Sequence, residues 1–274
     1  MEAIGAPIAA ALEGGIEPDA ARVRVEKRLR VHTLGDFRVE KEGEPLRFLR
    51  KVPRRPLELL KVTIALGGRA VDTRRIIDWL WPDAEGDAAE KALASALHRL
   101  RLLLGDAAAL VVEDRRLSID GRRVWVDVWA LEQLFGGRDS AAVDFDQVLA
   151  LYRGAFLESE DGPWAWPLRE RLRGRVLREL ARRGQRLLED ERCEEAIHLF
   201  EKGLEIEELA EELYCKLMRC YQSLGRRAEA LRVYERCRLV ISSRLGVEPS
   251  PATEALHHAL REHAWSEAGP KATN

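Results

Sequence analysis

Lys91, Ser95, His98, Arg99 and Arg101 crowd into one stretch, Lys91-Ala92-Leu93-Ala94-Ser95-Ala96-Leu97-His98-Arg99-Leu100-Arg101. Their shared chemistry is hydrogen-bond donation. An arginine fork matches two acceptors at once, such as phosphate oxygens or the O6 and N7 of guanine, and a lysine meets the same atoms as a point charge. Small side chains at Ala94 and Ser95 would let the backbone come close to whatever the cations touch. Further cations recur in small groups: Lys51 with Arg54 and Arg55, Arg74 with Arg75, and Arg115 with Arg116. These suit contact with phosphate better than the reading of base edges, because they cluster at expected helix starts and at a turn.

The elements that must hold these residues follow from periodicity. Leu29-Arg30-Val31-His32-Thr33-Leu34 and Phe37-Arg38-Val39 alternate apolar and polar, Lys41-Glu42-Gly43-Glu44 reads as a turn, and Pro45 to Leu49 as a third strand. Helical spacing begins after Pro56, with Leu57, Leu60, Ile64 and Ala65 on one face and Gly67-Gly68 as the stop. Asp72 or Thr73 caps a second helix with core residues Ile76, Ile77 and Leu80, which Trp81-Pro82 ends. Asp87 caps a third, from about Ala88 to Leu104, with Leu93, Ala96, Leu97, Leu100, Leu103 and Leu104 inward and Gly105 as terminator. Lys91, Ser95, His98 and Leu102 then lie opposite the core at ~100° per residue. Leu110 to Val112 and Arg116 to Ile119 flank Glu113-Asp114-Arg115 as a hairpin, and Val124-Trp125-Val126 adds a short strand. Sheet, three helices and hairpin in that order make a winged helix. The plain alternative for the third helix is an amphipathic helix with a solvated basic face, and for Arg101 an ion pair with a nearby carboxylate.

From Asp127 onward the chain reads as all helix: Trp129 to Phe135, closed by Gly136-Gly137, then Val143 to Tyr152. A loop from Gly154 to Pro167 carries Trp164 and Trp166, expected to wedge against a long helix from Leu168 to Glu189. Glu195-Ala196-Ile197-His198-Leu199-Phe200-Glu201 aligns with Glu229-Ala230-Leu231-Arg232-Val233-Tyr234-Glu235, 34 positions on. That offset is the tetratricopeptide period, and helix pairs of this kind stack into a solenoid that presents a surface to other proteins. A last helix, about Ala252 to Glu262, caps the stack.

The sequence lacks the Gly-x-Ser-x-Gly, His-Glu-x-x-His and Gly-rich Lys-Ser/Thr patterns that announce hydrolases, zinc peptidases and nucleotide binders. Cys193, Cys215, Cys220 and Cys237 fall in the repeats without paired zinc-ligand spacing, and read as small buried hydrophobes. Glu207-Glu208 and Glu211-Glu212 read as an exposed repeat face, and His257-His258 near His263 as a solvated helix end. No catalytic residue, metal or cofactor is expected.

Leu34-Gly35-Asp36-Phe37, Arg55-Pro56-Leu57-Glu58-Leu59-Leu60, Leu80-Trp81-Pro82-Asp83 and Leu97-His98-Arg99-Leu100-Arg101 resemble the OmpR-type DNA-binding domain, in the version found in SARP-type bacterial transcriptional regulators. Tyr152-Arg153-Gly154-Ala155-Phe156-Leu157, Gly225-Arg226-Arg227-Ala228-Glu229-Ala230-Leu231 and Leu245-Gly246-Val247-Glu248-Pro249-Ser250-Pro251 resemble the bacterial transcriptional activator domain that follows it in that family. Together the resemblances cover about residues 29–262. They imply a mainly α protein: a winged helix over 29–126, an all-α tetratricopeptide-like domain over 127–264, a leader or the end of a preceding helical region over 1–28, and a tail over 265–274. They imply double-stranded DNA as ligand, with Lys91, His98, Arg99 and Arg101 at positions where the family uses basic or polar contacts. His98 departs from a frequent arginine there. Leu102 offers an apolar contact to a thymine methyl or to a neighbour. Arg115 and Arg116 would serve a wing reaching the adjacent minor groove. RNA polymerase and a second copy of the chain are the implied protein partners.

Charge agrees once it is segmented. The net charge of -2 would argue against a nucleic-acid ligand if it were evenly spread. Instead residues 1–21 carry about -4, residues 22–126 about +7 and residues 127–274 about -5. No apolar window is long enough to span a bilayer, no secretory leader pattern opens the chain, and the few cysteines suit a reducing compartment, so a cytoplasmic location is expected. The competing reading is a protein-interaction adaptor with the winged helix as a docking module. An acidic or apolar outer face on the third helix would favour it, and this sequence puts Lys91, His98, Arg99 and Arg101 there.

Overall fold

The computed structural model describes residues 28–47, 53–136 and 145–262. Lys51, the expected leader and tail, Phe48 and Leu49 of the expected third strand, and the start of the helix expected from Val143 lie outside the described residues.

β1 (Leu29–His32) buries Leu29 and Val31 and exposes Arg30, the alternation of a strand with one face on a core. It pairs antiparallel with β2 (Arg38–Lys41), Val31 opposite Val39, and β2 pairs with the two residues of β3 (Glu44–Pro45). The turn between them is Glu42-Gly43, both at positive φ, so Lys41 and Glu44 belong to the strands and not to the turn. β1 ends at His32, short of the expected Leu34. The amides of Thr33 and Leu34 leave the ladder to donate to the Asp127 carboxylate, at 2.7 and 2.9 Å.

α1 (Arg54–Ala65) starts three residues before Leu57, the expected first residue. Pro56 is tolerated in its first turn, where no helical N–H bond is needed. The two-residue strand β4 (Val71–Asp72) leads into α2 (Thr73–Leu80), capped by Asp72 accepting from the Arg74 amide at 2.9 Å. α3 (Gly86–Leu104) begins before Asp87, which sits inside its first turn near the positive end of the dipole. Gly105, at φ +67°, ends it. β5 (Leu110–Glu113) and β6 (Arg116–Ile119) form the hairpin, and β6 also pairs with β4 in a second, three-stranded sheet. β4 is too short to carry a periodic signal. β7 (Val124–Val126) returns to lie parallel to β1, completing the first sheet in the order β3-β2-β1-β7.

Seven helices follow among the described residues: α4 (Asp127–Phe135), α5 (Phe145–Leu151), α6 (Trp166–Glu189), α7 (Cys193–Ile206), α8 (Glu211–Ser223), α9 (Arg227–Leu245) and α10 (Pro251–Glu262). From α6 onward each helix packs on the next as a solenoid, with α10 across α8 and α9. Ala196 and Ala230 are buried at equivalent places, Phe200 and Tyr234 in the next layer. Gly184 of α6 lies so close to Phe200 that an added Cβ would fall 2.2 Å from its ring. Of the tryptophan pair, Trp164 is buried and Trp166 is 63% exposed, so the expected wedge is Trp164 alone; Trp166 only begins α6, and Leu168 and Leu172 take its buried positions. Cys220 and Cys237 are buried, and that burial pushes each thiol up to about 12.

A single apolar core runs from Leu29 to Leu260 without a break at residue 126. The Gly35 amide donates to the Ala155 carbonyl at 3.0 Å and the Leu157 amide to the Thr33 carbonyl at 2.7 Å. Lys61 of α1 pairs with Glu160 across the same boundary. At the centre of this seam the buried Asp127 carboxylate also accepts from the Thr33 hydroxyl at 2.6 Å and from the Val128 amide at 2.8 Å. A buried carboxylate with four donors is well compensated for its lost hydration.

Candidate nucleic-acid interface

On α3, with Lys91 at zero, ~100° per residue puts Ser95, His98 and Leu102 within about 40° and Ala94 at about 60°. All five are exposed, Leu102 at 69%. Ala96, Leu97, Leu100 and Leu104 take the opposite, buried side. Arg99 is exposed on one flank, about 80° from Lys91. Lys91, His98 and Arg99 have no ion-pair partner among the described residues.

The other flank, at about 80–100°, carries Glu90 and Arg101, and both face the β5–β6 hairpin. Arg101 is half-buried and donates through Nη2 to the Leu110 carbonyl at 2.7 Å. The structure therefore gives Arg101 neither the open position expected of a groove contact nor the carboxylate pair of the alternative reading. It braces the C-terminal part of α3 against the hairpin, because its position on the helix turns it toward the first residue of β5. Glu90 does the corresponding thing near the other end of α3, 3.7 Å from Arg115 at the hairpin tip.

Asp114 and Arg115 form that tip, both at positive φ, the two-residue turn that suits the twist of a hairpin. The Arg115 carbonyl accepts from the Thr73 amide at 2.9 Å, so the tip is tied to the start of α2. There Arg74 and Arg75 are exposed. Arg116 is exposed and donates to the Ala70 carbonyl at 3.4 Å. Arg54 is exposed at the start of α1, whereas Arg55 pairs with Glu58 at 3.0 Å and lies over the Trp81 ring at 6.0 Å. Arg122, three residues beyond β6, is committed to Asp120, whose carboxyl its hydrogen bonds hold below the usual range. The structure thus brings α3, the start of α2 and the hairpin tip together around Lys91, Ser95, His98, Arg99, Arg74 and Arg115. Glu90 was missed from the sequence; its signal was its place on the same flank of the helix as Arg101, facing a hairpin that carries arginines.

Residues 127–261 match the family described as the bacterial transcriptional activator domain. The regulatory protein AfsR of Streptomyces coelicolor is 28% identical over 242 residues, which are 85% of this chain and 24% of that protein. The transcriptional regulatory protein EmbR of Mycobacterium bovis is 26% identical over 263 residues, 88% of this chain and 65% of that one. The domain match and both relatives support a regulator of the SARP type. The chain spans about a quarter of AfsR and about two thirds of EmbR. Its fold is that of a solved structure, Mycobacterium tuberculosis EmbR in complex with a low-affinity phosphopeptide, with a TM-score of 0.64 and 23% identity over 86% of this chain and 65% of that one. No helix among the described residues is long and apolar enough to cross a membrane, and no group of three or more His, Cys, Asp or Glu among them could hold a metal ion.

Proposed function

We propose that this chain is a SARP-type transcriptional regulator that binds double-stranded DNA with α3 in the major groove. The observation that carries the reading is the outer face of α3: Lys91, Ser95, His98 and Arg99 stand exposed around small residues, on a helix braced from behind by Arg101. A groove admits one helix, and donors on its outer face meet base edges. Arg54, Arg74, Arg115 and Arg116 then meet phosphate, with Lys51 just ahead of α1 in sequence. The helical module supplies the surface for RNA polymerase, for a second copy of the chain or for a signal, and the setting is the cytoplasm.

The test is binding of the chain to duplexes selected from a randomised pool, followed by fluorescence anisotropy over a salt series. With several phosphates neutralised, log affinity should fall against log salt with a slope of about 0.9 per phosphate. A flat salt response, or selection of no duplex at all, would overturn the reading.

A further inference from the structure

We propose that Glu90 is a positioning residue for the DNA contact: it parks the hairpin-tip Arg115 against α3 and must release it when a phosphodiester strand docks. The inference rests on the DNA reading above, with α3 in the major groove. The adjacent minor groove lies across one sugar–phosphate strand, so a helix and hairpin tip serving neighbouring grooves straddle that strand. The Glu90–Arg115 pair spans this gap at 3.7 Å, with side chains 62% and 65% exposed. A phosphate does not fit between two groups at that separation, and the pair has to part.

The surroundings fix what moves. The backbone of the tip is held by the Thr73 amide on the Arg115 carbonyl, and Arg101 holds the other end of the same flank on Leu110. Neither brace involves the Arg115 guanidinium or the Glu90 carboxylate. Two exposed side chains are therefore free to separate while α3 and the hairpin stay in register. Exposed pairs of this kind are weak, which allows a phosphate to take the carboxylate's place on the guanidinium. The exchange leaves Glu90 beside the strand without its cation. Glu90 thus lowers the affinity of the whole interface. Because the freed carboxylate draws a cation back as the docked strand gives one up, it also lowers the salt dependence.

The experiment compares wild type, Glu90→Gln, Arg115→Ala and the double variant on one selected duplex across a salt series, with Glu113→Gln as the control for removing a nearby unpaired acid. Both residues are exposed, and circular dichroism checks that the fold is retained. Glu90→Gln should tighten binding about two- to fivefold at low salt, and its slope of log affinity against log salt should steepen, by less than the ~0.9 that one DNA phosphate contributes. Glu113→Gln should do less on both counts. In the Arg115→Ala background the steepening should vanish. Weaker binding by Glu90→Gln would overturn the proposal and make Glu90 a direct base contact. An unchanged slope, or equal effects from Glu113→Gln, would overturn it in favour of general repulsion. If wild type binds no selected duplex, the DNA reading falls first and this inference with it; if wild type binds with a steep salt slope and Glu90→Gln matches it, this inference falls alone.

Discussion

Arg99 and Arg101 stand two positions apart on α3 with different surroundings. Arg99 is exposed and unpaired among the described residues, whereas Arg101 donates to the Leu110 carbonyl at 2.7 Å. Their alanine variants should therefore separate. Arg99→Ala should weaken duplex binding about fivefold or more while leaving the urea midpoint unchanged, since the contact it loses is to the ligand. Arg101→Ala should lower stability by about 1–2 kcal/mol, because it leaves a half-buried carbonyl without its charged donor. Its effect on binding should follow from a loosened α3. Equal stabilities for the two variants would contradict the brace. From the sequence both arginines read alike, as cations flanking an outer face. What separates them is the β5 carbonyl nine residues on, whose approach depends on how the hairpin packs, and no local spacing encodes that. Asp127 is the same case: its partners Thr33 and Leu34 lie more than ninety positions away, so a carboxylate that looked like the mere start of a helix is the polar centre of the seam.

Elements with long amphipathic runs were legible, among them α1, α3, α6 and the repeated pair centred on Ala196 and Ala230. Those held by a few tertiary bonds were not, such as β4 and the early end of β1. The terminal helix α10 shows what such bonds do. Glu211 of α8 accepts from the Ser250 amide at 2.7 Å and from the Thr253 hydroxyl. Burial raises its carboxyl, but the hydrogen bonds from Thr253 and Ser250 outweigh it and hold it below the ordinary range. His257 of α10 stacks on Tyr234 at 3.7 Å, and Tyr234 donates to Glu254 at 2.7 Å. Burial pushes the His257 imidazole down, against the nearby Glu254 carboxylate, which favours its charged form; Arg261 and His258 act with burial. Both groups therefore have folded values below their unfolded ones, so each contributes stability that is present above the unfolded value and lost as pH falls toward the folded one. The docking of α10 should weaken in two steps, first below the ordinary histidine value of 6.5 and then below the ordinary glutamate value of 4.5. Hydrogen exchange of the α10 amides between pH 7.5 and 4 reads this directly. His257→Phe, which keeps the stack without a titrating group, should remove the upper step. Equal protection of α10 at pH 7.5 and 5.5 in the wild type would contradict it.

At the scale of the whole molecule, a basic winged helix and an acidic helical stack share one core, and their seam depends on the approach of two backbones. Gly35, at φ +86°, donates to the Ala155 carbonyl, and a Cβ added to Gly154 would meet the Gly35 Cα at 2.9 Å. Tyr152-Arg153-Gly154-Ala155-Phe156-Leu157 stood out in the sequence only as a family-like motif. The physical requirement is that position 154 carry no side chain, so that the chain can reach β1 closely enough for the bridge between Leu34 and Phe156 and the bond from the Leu157 amide to Thr33. Phe156 and Leu157 are then completely buried in the core. Because this seam is as buried as either half, the amides of Gly35 and Leu157 should exchange as slowly as those of Val31 and Val126, through global unfolding only. Moving the Glu158 side chain aside would not relieve Gly154→Ala, since the nearest atom is the backbone Cα of Gly35. It should open the seam at a cost of about 1–3 kcal/mol, with the protection of Gly35 and Leu157 falling well below that of Val31 and the thermal transition broadening or dividing in two. Gly154→Ala with a single sharp transition and unchanged protection at Leu157 would mean that the two halves are held by side-chain packing alone, and that the backbone approach at Gly35 is incidental.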